Sequence, residues 1–92
     1  LYKIYSEREV ENGYIDLFLE KDNRYPDIEY EWLWELKYIK KTDKSKLEQI
    51  KRKGIEQLKE YGMSKKFKDK KRLKKALILF IGKDEYEIIE ID

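Results

Sequence analysis

The chain contains no cysteine and no histidine. Without cysteine there is neither a disulfide framework nor a thiolate metal site, which removes the usual mark of a small secreted protein. Without histidine, imidazole acid–base chemistry and most zinc sites are excluded. Any metal must therefore rest on oxygen ligands, which favours magnesium or manganese. One proline and four glycines are all that punctuate 92 residues. No linker or repeat divides the sequence, and residues 1–92 read as a single small domain with a modest core. No apolar run approaches the roughly 20 residues that span a bilayer, and no signal peptide is visible. A cytoplasmic location is expected. The first residue is Leu1 rather than methionine, inside a stretch that already reads as a strand. A fragment of a longer protein is expected, whose preceding segment would carry part of a site or cover part of a sheet.

Charge is abundant but unevenly placed. The net charge of +2 hides segments of −5 (residues 1–37), +11 (38–81) and −4 (82–92). Such segregation concentrates positive potential on one surface and attracts a polyanion. The lysine run Lys65, Lys66, Lys68, Lys70, Lys71, Arg72, Lys74 and Lys75 suits contact with backbone phosphates, which needs no sequence reading. A solubilising surface accounts for the same run. The tyrosines Tyr2, Tyr5, Tyr25, Tyr30 and Tyr38 and the tryptophans can stack bases, although packing explains most of them more simply.

The hydrophobic pattern predicts the order β-β-β-α-β-β, an α/β fold bordering on α+β. Lys3 to Val10 reads as a first strand, and Asn12-Gly13 is a hairpin turn signal. Tyr14 to Glu20 is a second strand, and Lys21 to Ile28, with Pro26, is the connection. Tyr30 to Ile39 is a third strand, whose two tryptophans are expected to bury large surfaces. The period then changes. Leu47, Ile50, Gly54, Leu58 and Tyr61 recur at three or four residues and mark a helix, with Thr42 or Asp43 as cap and Gly62 as stop. Residues 63–75 are expected to form a short helix or loop too charged to bury. Ala76 to Ile81 reads as a central strand covered on both faces, and Gly82-Lys83-Asp84 as a turn. Glu85 to Ile91 alternates like an outer strand, with acids that can guard an edge.

Three charges interrupt the strand patterns. Asp16 lies within Gly13-Tyr-Ile-Asp-Leu-Phe-Leu-Glu20, and Glu35 and Lys37 lie within Glu31-Trp-Leu-Trp-Glu-Leu-Lys-Tyr-Ile39. Unpaired charge is expensive to bury, so each position needs a reason. Alternation puts Glu35 and Lys37 on one face, and neighbouring strands can bring Asp16 beside Glu35. Two carboxylates, helped by the Leu36 carbonyl, would hold a hard cation, and Lys37 would stabilise a phosphorane. A cross-strand ion-pair array on a solvated face accounts for Glu35 and Lys37 more simply, since charge on one face of a sheet is ordinary. Gln57 sits at the margin of the helix stripe, where it can orient water at a site or simply be a partly covered amide.

Asp16 and Glu35-Leu36-Lys37 resemble the signature of the PD-(D/E)xK nuclease superfamily. The match is nearest to the nuclease-like domain found C-terminal to bacterial AAA-ATPase-like domains. Glu7-Arg-Glu-Val10, Gly13-Tyr-Ile-Asp16, Trp34-Glu-Leu-Lys37 and Gln57-Leu-Lys-Glu-Tyr61 carry the likeness, from about Tyr5 to Gly82. The resemblance implies a small mixed sheet with a flanking helix, a restriction-endonuclease-like core lacking its N-terminal helix. It implies that Asp16 and Glu35 bind magnesium or manganese, that Lys37 is catalytic and that Gln57 is accessory. It further implies nucleic acid, with DNA expected, as substrate and an ATPase-like domain as a partner within the same chain. Ile15 stands where the family has proline. A literal Pro26-Asp27 offers Asp27 as the alternative acid, although Asp16 is better held. A catalytically silent nucleic-acid-binding module and a protein-interaction domain remain the other readings.

Overall fold

The computed structural model describes residues 2–10, 13–22, 24–25 and 29–91, with the side chains of 6–10 and 13–15 left aside. Asn12 of the expected turn, Pro26-Asp27 with its alternative acid, and Ile28 lie outside the described residues. So do the side chains of Glu7 to Val10.

Five strands form one mixed sheet: β1 (Tyr2–Val10), β2 (Gly13–Lys21), β3 (Glu31–Ile39), β4 (Leu73–Ile81) and β5 (Glu85–Ile91). Their order in space is that of the chain, β1-β2-β3-β4-β5. Only the β3–β4 pair is parallel. A parallel pair needs a crossover, and a 3-10 turn at Lys41–Lys46 followed by α1 (Leu47–Gly62) provides it. This is the expected small α/β architecture with one flanking helix.

The helix lies on one face of the sheet. Its stripe meets side chains that alternate inward along β3 and β4, and the core divides into two groups. Phe18, Leu33, Leu58, Tyr61, Phe67 and Leu77 form the larger. Ile39, Leu79 and Ile81, with Leu47 and Ile50 against them, form the smaller. Along the helix-facing side of β3 the sequence is Leu33, Glu35, Lys37, Ile39. The two charges therefore fall between the two apolar groups.

Gly54 sets the distance between helix and sheet. A Cβ built there would stand 2.8 Å from Leu77 Cδ1, and Leu77 is fully buried. Leu77 has little room to yield. Gly54→Ala gains about 1 kcal/mol of helix propensity, but overpacking costs about 1–3 kcal/mol. The expected outcome is a net loss of roughly 1 kcal/mol, read as a lower urea midpoint at unchanged slope.

Several expectations are corrected. The 3-10 turn occupies the positions assigned to a cap. Lys46 precedes α1 without a side-chain cap, so neither Thr42 nor Asp43 caps the helix. Gly62 is the last helical residue rather than a left-handed stop, and Met63 follows in right-handed conformation. The positive φ belongs to Gly82 (65°), whose N–H donates to the Ile39 carbonyl at 2.8 Å and turns β4 into β5. β4 begins at Leu73, three residues before the apolar run. The lysine-rich segment before it is not wholly solvated. Phe67 is fully buried with its ring edge-on to Phe18 at 4.9 Å. The face of β4 away from the helix is only partly covered: Ala76 is buried there, Ile78 is half-buried and Phe80 is exposed. Trp32 and Trp34 point to that same side and are half-buried.

Candidate active site

The β2–β3 ladder pairs Leu19 with Trp32, Phe18 with Leu33 and Leu17 with Trp34, and there it ends. Carried one step further, the same register sets Asp16 opposite Glu35. Asp16 shares the helix-facing side with Phe18, and Glu35 shares it with Leu33. Instead of continuing the ladder, an Asp16 side-chain oxygen (Oδ2) accepts the Leu36 N–H at 2.8 Å. The side chain thus replaces a backbone partner where the strands part. A strand residue directs its N–H and C=O to the same edge, so the Leu36 carbonyl is turned towards this gap as well.

Glu35 is 5% exposed. Its Oε1 lies 3.7 Å from Lys37 Nζ, a long contact with a half-buried ammonium. Its Oε2 is buried without any hydrogen-bond partner. Burial, and then the adjoining negative charge of Asp16, push the Glu35 carboxyl up to about 7 against the opposing pull of Lys37. A buried carboxylate oxygen with no partner is costly unless something fills the gap. All the donors here are hard oxygens, and a small divalent ion keeps part of its coordination as water or phosphate. The arrangement fits such an ion with two carboxylates. Among the described residues no group of three or more acidic side chains converges on one point.

Gln57 lies on the helix side that packs on the sheet, three residues from Gly54 and four from Tyr61. Its Oε1 is likewise buried and unpartnered. Tyr61 joins the same neighbourhood, which the spacing of apolar residues did not reveal. Its phenol is pushed up chiefly by burial, then by the charges of Glu35, Glu60 and Asp16. The sequence signs of this were its place on the stripe with Gln57 and the resemblance carried by Gln57-Leu-Lys-Glu-Tyr61.

The basic segment enters from the end where β3 and β4 begin, where the Glu31 N–H donates to the Arg72 carbonyl at 2.9 Å. Four residues of β3, about 13 Å, separate that point from Glu35. Not every cation in the run faces solvent unengaged. Lys70 pairs with Glu31 at 3.0 Å and lies over the Phe18 ring, and Lys74 pairs with Glu90 at 3.1 Å over Tyr30. Lys75 passes beneath Gly62 at the helix end. Lys68, Lys71 and Arg72 are exposed. The aromatic side chains are mostly engaged. Tyr2 donates its hydroxyl to the Tyr30 carbonyl, Tyr5 stacks on Phe18 and Tyr25 lies beneath Arg24. The acids of the outer strand are also engaged: Glu85 with Lys41 and Lys44, and Glu87 with Lys51.

A family model of the PD-(D/E)XK nuclease superfamily matches residues 1–90. The chain belongs to that superfamily. No curated protein and no solved structure matches it. Membership makes this a nuclease-like domain of a group that binds nucleic acid and in general uses divalent metal. The small mixed sheet with one helix agrees with a restriction-endonuclease-like fold.

Proposed function

We propose that this PD-(D/E)XK domain is a magnesium- or manganese-dependent nuclease that hydrolyses phosphodiester bonds, with DNA as its substrate. The observation that carries the reading is the unpartnered, buried Glu35 Oε2 at the point where β2 and β3 part, opposite Asp16.

Asp16 and Glu35 would hold the ion through carboxylate oxygens, with the Leu36 carbonyl as a further oxygen ligand. The Asp16 hydrogen bond to the Leu36 N–H holds that carboxylate in place before any ligand arrives. A bound divalent ion contributes Lewis acidity towards a phosphoryl oxygen and makes water more acidic. The attacking water forms a new P–O bond while the bond to the leaving sugar oxygen breaks. Lys37, half-buried beside Glu35, places its ammonium where negative charge grows on the phosphoryl oxygens. Gln57 offers its buried oxygen as an acceptor to the attacking water, which orients it. The exposed Lys68, Lys71 and Arg72 hold the flanking backbone electrostatically, which makes binding steeply salt-dependent.

The test is cleavage of plasmid and single-stranded substrates with added Mg²⁺ or Mn²⁺, comparing wild type with Asp16→Ala and Glu35→Ala. Cleavage is expected only with metal and is expected to be lost in both variants. Salt-sensitive binding without any metal-dependent cleavage would instead mark a silent nucleic-acid-binding module. Equal cleavage by all three proteins would reject the assignment of the site.

A further inference from the structure

At the carboxyl ends of the parallel strands β3 and β4 lies a cavity of about 520 Å³, formed by residues 40–42 and 82–84 with Tyr38 as a further wall. Ligands of open α/β sheets bind outside the carboxyl ends of the strands. The principal walls are two connections rather than a strand face, and they are fastened to each other. The Gly82 N–H donates to the Ile39 carbonyl at 2.8 Å, and Lys41 Nζ meets Asp84 at 3.0 Å. Gly82 holds a φ of 65°, and a Cβ there would stand 3.0 Å from Lys41 Cγ. Glycine thus sets both the turn and the close approach of the walls.

Charge says what the cavity takes. Asp84 is neutralised by Lys41, and Glu85 lies 3.6 Å from Lys41 and 3.4 Å from Lys44. Lys40 and Lys83 are exposed in the lining and form no ion pair among the described residues. Two free ammonium groups, the Thr42 hydroxyl and an aromatic ring suit one unit of a nucleic-acid strand. The cations and the hydroxyl meet its phosphate, and the ring meets its base or sugar. A small carboxylate would leave the ring idle, and an uncharged aromatic would leave the cations idle.

The cavity also lies in line with the candidate site. β3 loses β2 as a ladder neighbour beyond Trp34, so its edge from Leu36 to Tyr38 runs from the Asp16–Glu35 gap towards Lys40 without a strand beside it. Five residues of β3, roughly 16 Å, separate Glu35 from Lys40. The Arg72 end of the other basic segment stands about 13 Å from Glu35 in the opposite direction. Cations therefore mark both ends of a track of roughly 30 Å, about nine nucleotides at duplex spacing. The two carboxylates lie near its middle.

We propose that this cavity binds the substrate strand about five nucleotides from the scissile bond. The domain then grips its strand on both sides of the cut and cleaves within it rather than at an end. This inference rests on the nuclease reading and adds the second anchor that the reading lacks.

The test is fluorescence anisotropy of a labelled single-stranded oligodeoxynucleotide of about twelve residues, in EDTA and over a salt series. The variants are Lys40→Gln, Lys83→Gln, their combination and Tyr38→Leu, all at exposed positions, with Arg52→Gln removing one charge from the exposed side of α1 as a comparison. Each lysine variant is expected to lower the salt slope by about 0.7, and the pair to weaken binding several-fold. Tyr38→Leu is expected to weaken it about fivefold or more with the slope unchanged. Cavity variants that match wild type, or an equal loss in Arg52→Gln, overturn the proposal while a salt-dependent wild type leaves the nuclease reading standing. Calorimetric binding of dAMP alone that the paired lysine variant abolishes overturns it in favour of a free nucleotide. A wild type that binds no strand at any salt concentration overturns both readings.

Discussion

Lys37→Met is expected to lower metal-dependent cleavage by roughly 10²–10³-fold while leaving substrate binding within a few-fold. The substitution keeps the length and apolar stem of the side chain and removes only the ammonium. In the ground state a phosphodiester carries one negative charge, and more gathers on its oxygens as water adds. An ammonium half-buried beside Glu35 acts in a poorly screened setting, so its worth is greatest when that charge is greatest. The loss should fall on kcat rather than KM. A second readout separates this role from a merely structural one. Lys37 pulls the Glu35 carboxyl down against burial and against Asp16. Without it that carboxyl must rise further, and the acid limb of the pH–rate profile must move to higher pH. Wild-type kcat in Lys37→Met, with an unmoved acid limb, would reduce Lys37 to a surface partner.

The pair Asp16–Glu35 was legible because strand periodicity is strict. A charge at an inward position of an apolar strand either has a partner or is wrong, and antiparallel neighbours can supply one. The Leu36 N–H to Asp16 bond was not legible, because it depends on where the β2–β3 ladder stops, and alternation does not reveal that. The extension of β4 back to Leu73 was hidden by Lys74 and Lys75. Both belong to the strand, since Lys74 spans Tyr30 and Trp32 while Lys75 runs under Gly62. Long lysine stems cover apolar surface while their charge stays wet, so a charged run does not exclude a strand. Phe67 shows the converse: one buried ring anchors a segment whose composition reads as solvated. The continuous run Ala76 to Ile81 suggested two covered faces. Composition cannot tell a strand covered on both faces from one whose second face is only partly covered.

Glu35 also makes stability depend on pH in a direction opposite to most carboxylates. In the unfolded chain it titrates near 4.5, and in the metal-free fold near 7. Below the lower value both states are protonated and the group adds no slope. Between the two values the unfolded chain releases its proton while the fold retains it, so stability falls as pH rises. Above about 7 both are ionised and the loss is complete, at about 3 kcal/mol for this span of pKa. Asp22, held low chiefly by the Arg24 side chain, and Asp84, held low by Lys41, act the other way. Their stabilisation is present above the usual aspartate range and is lost below it, so their window does not overlap. Urea melts in EDTA should therefore show wild type losing stability from about pH 5 to about pH 8. Glu35→Gln keeps the shape without the ionisation and should be nearly level across that window, overtaking wild type at the alkaline end. Adding Mg²⁺ should stabilise wild type most at the alkaline end, where no proton must be displaced, and Glu35→Gln scarcely at all. A wild-type stability that rises from about pH 5 to about pH 8 in EDTA would mean that the carboxylate is already ionised and satisfied in the fold. The orphaned oxygen would then be no vacancy for a cation.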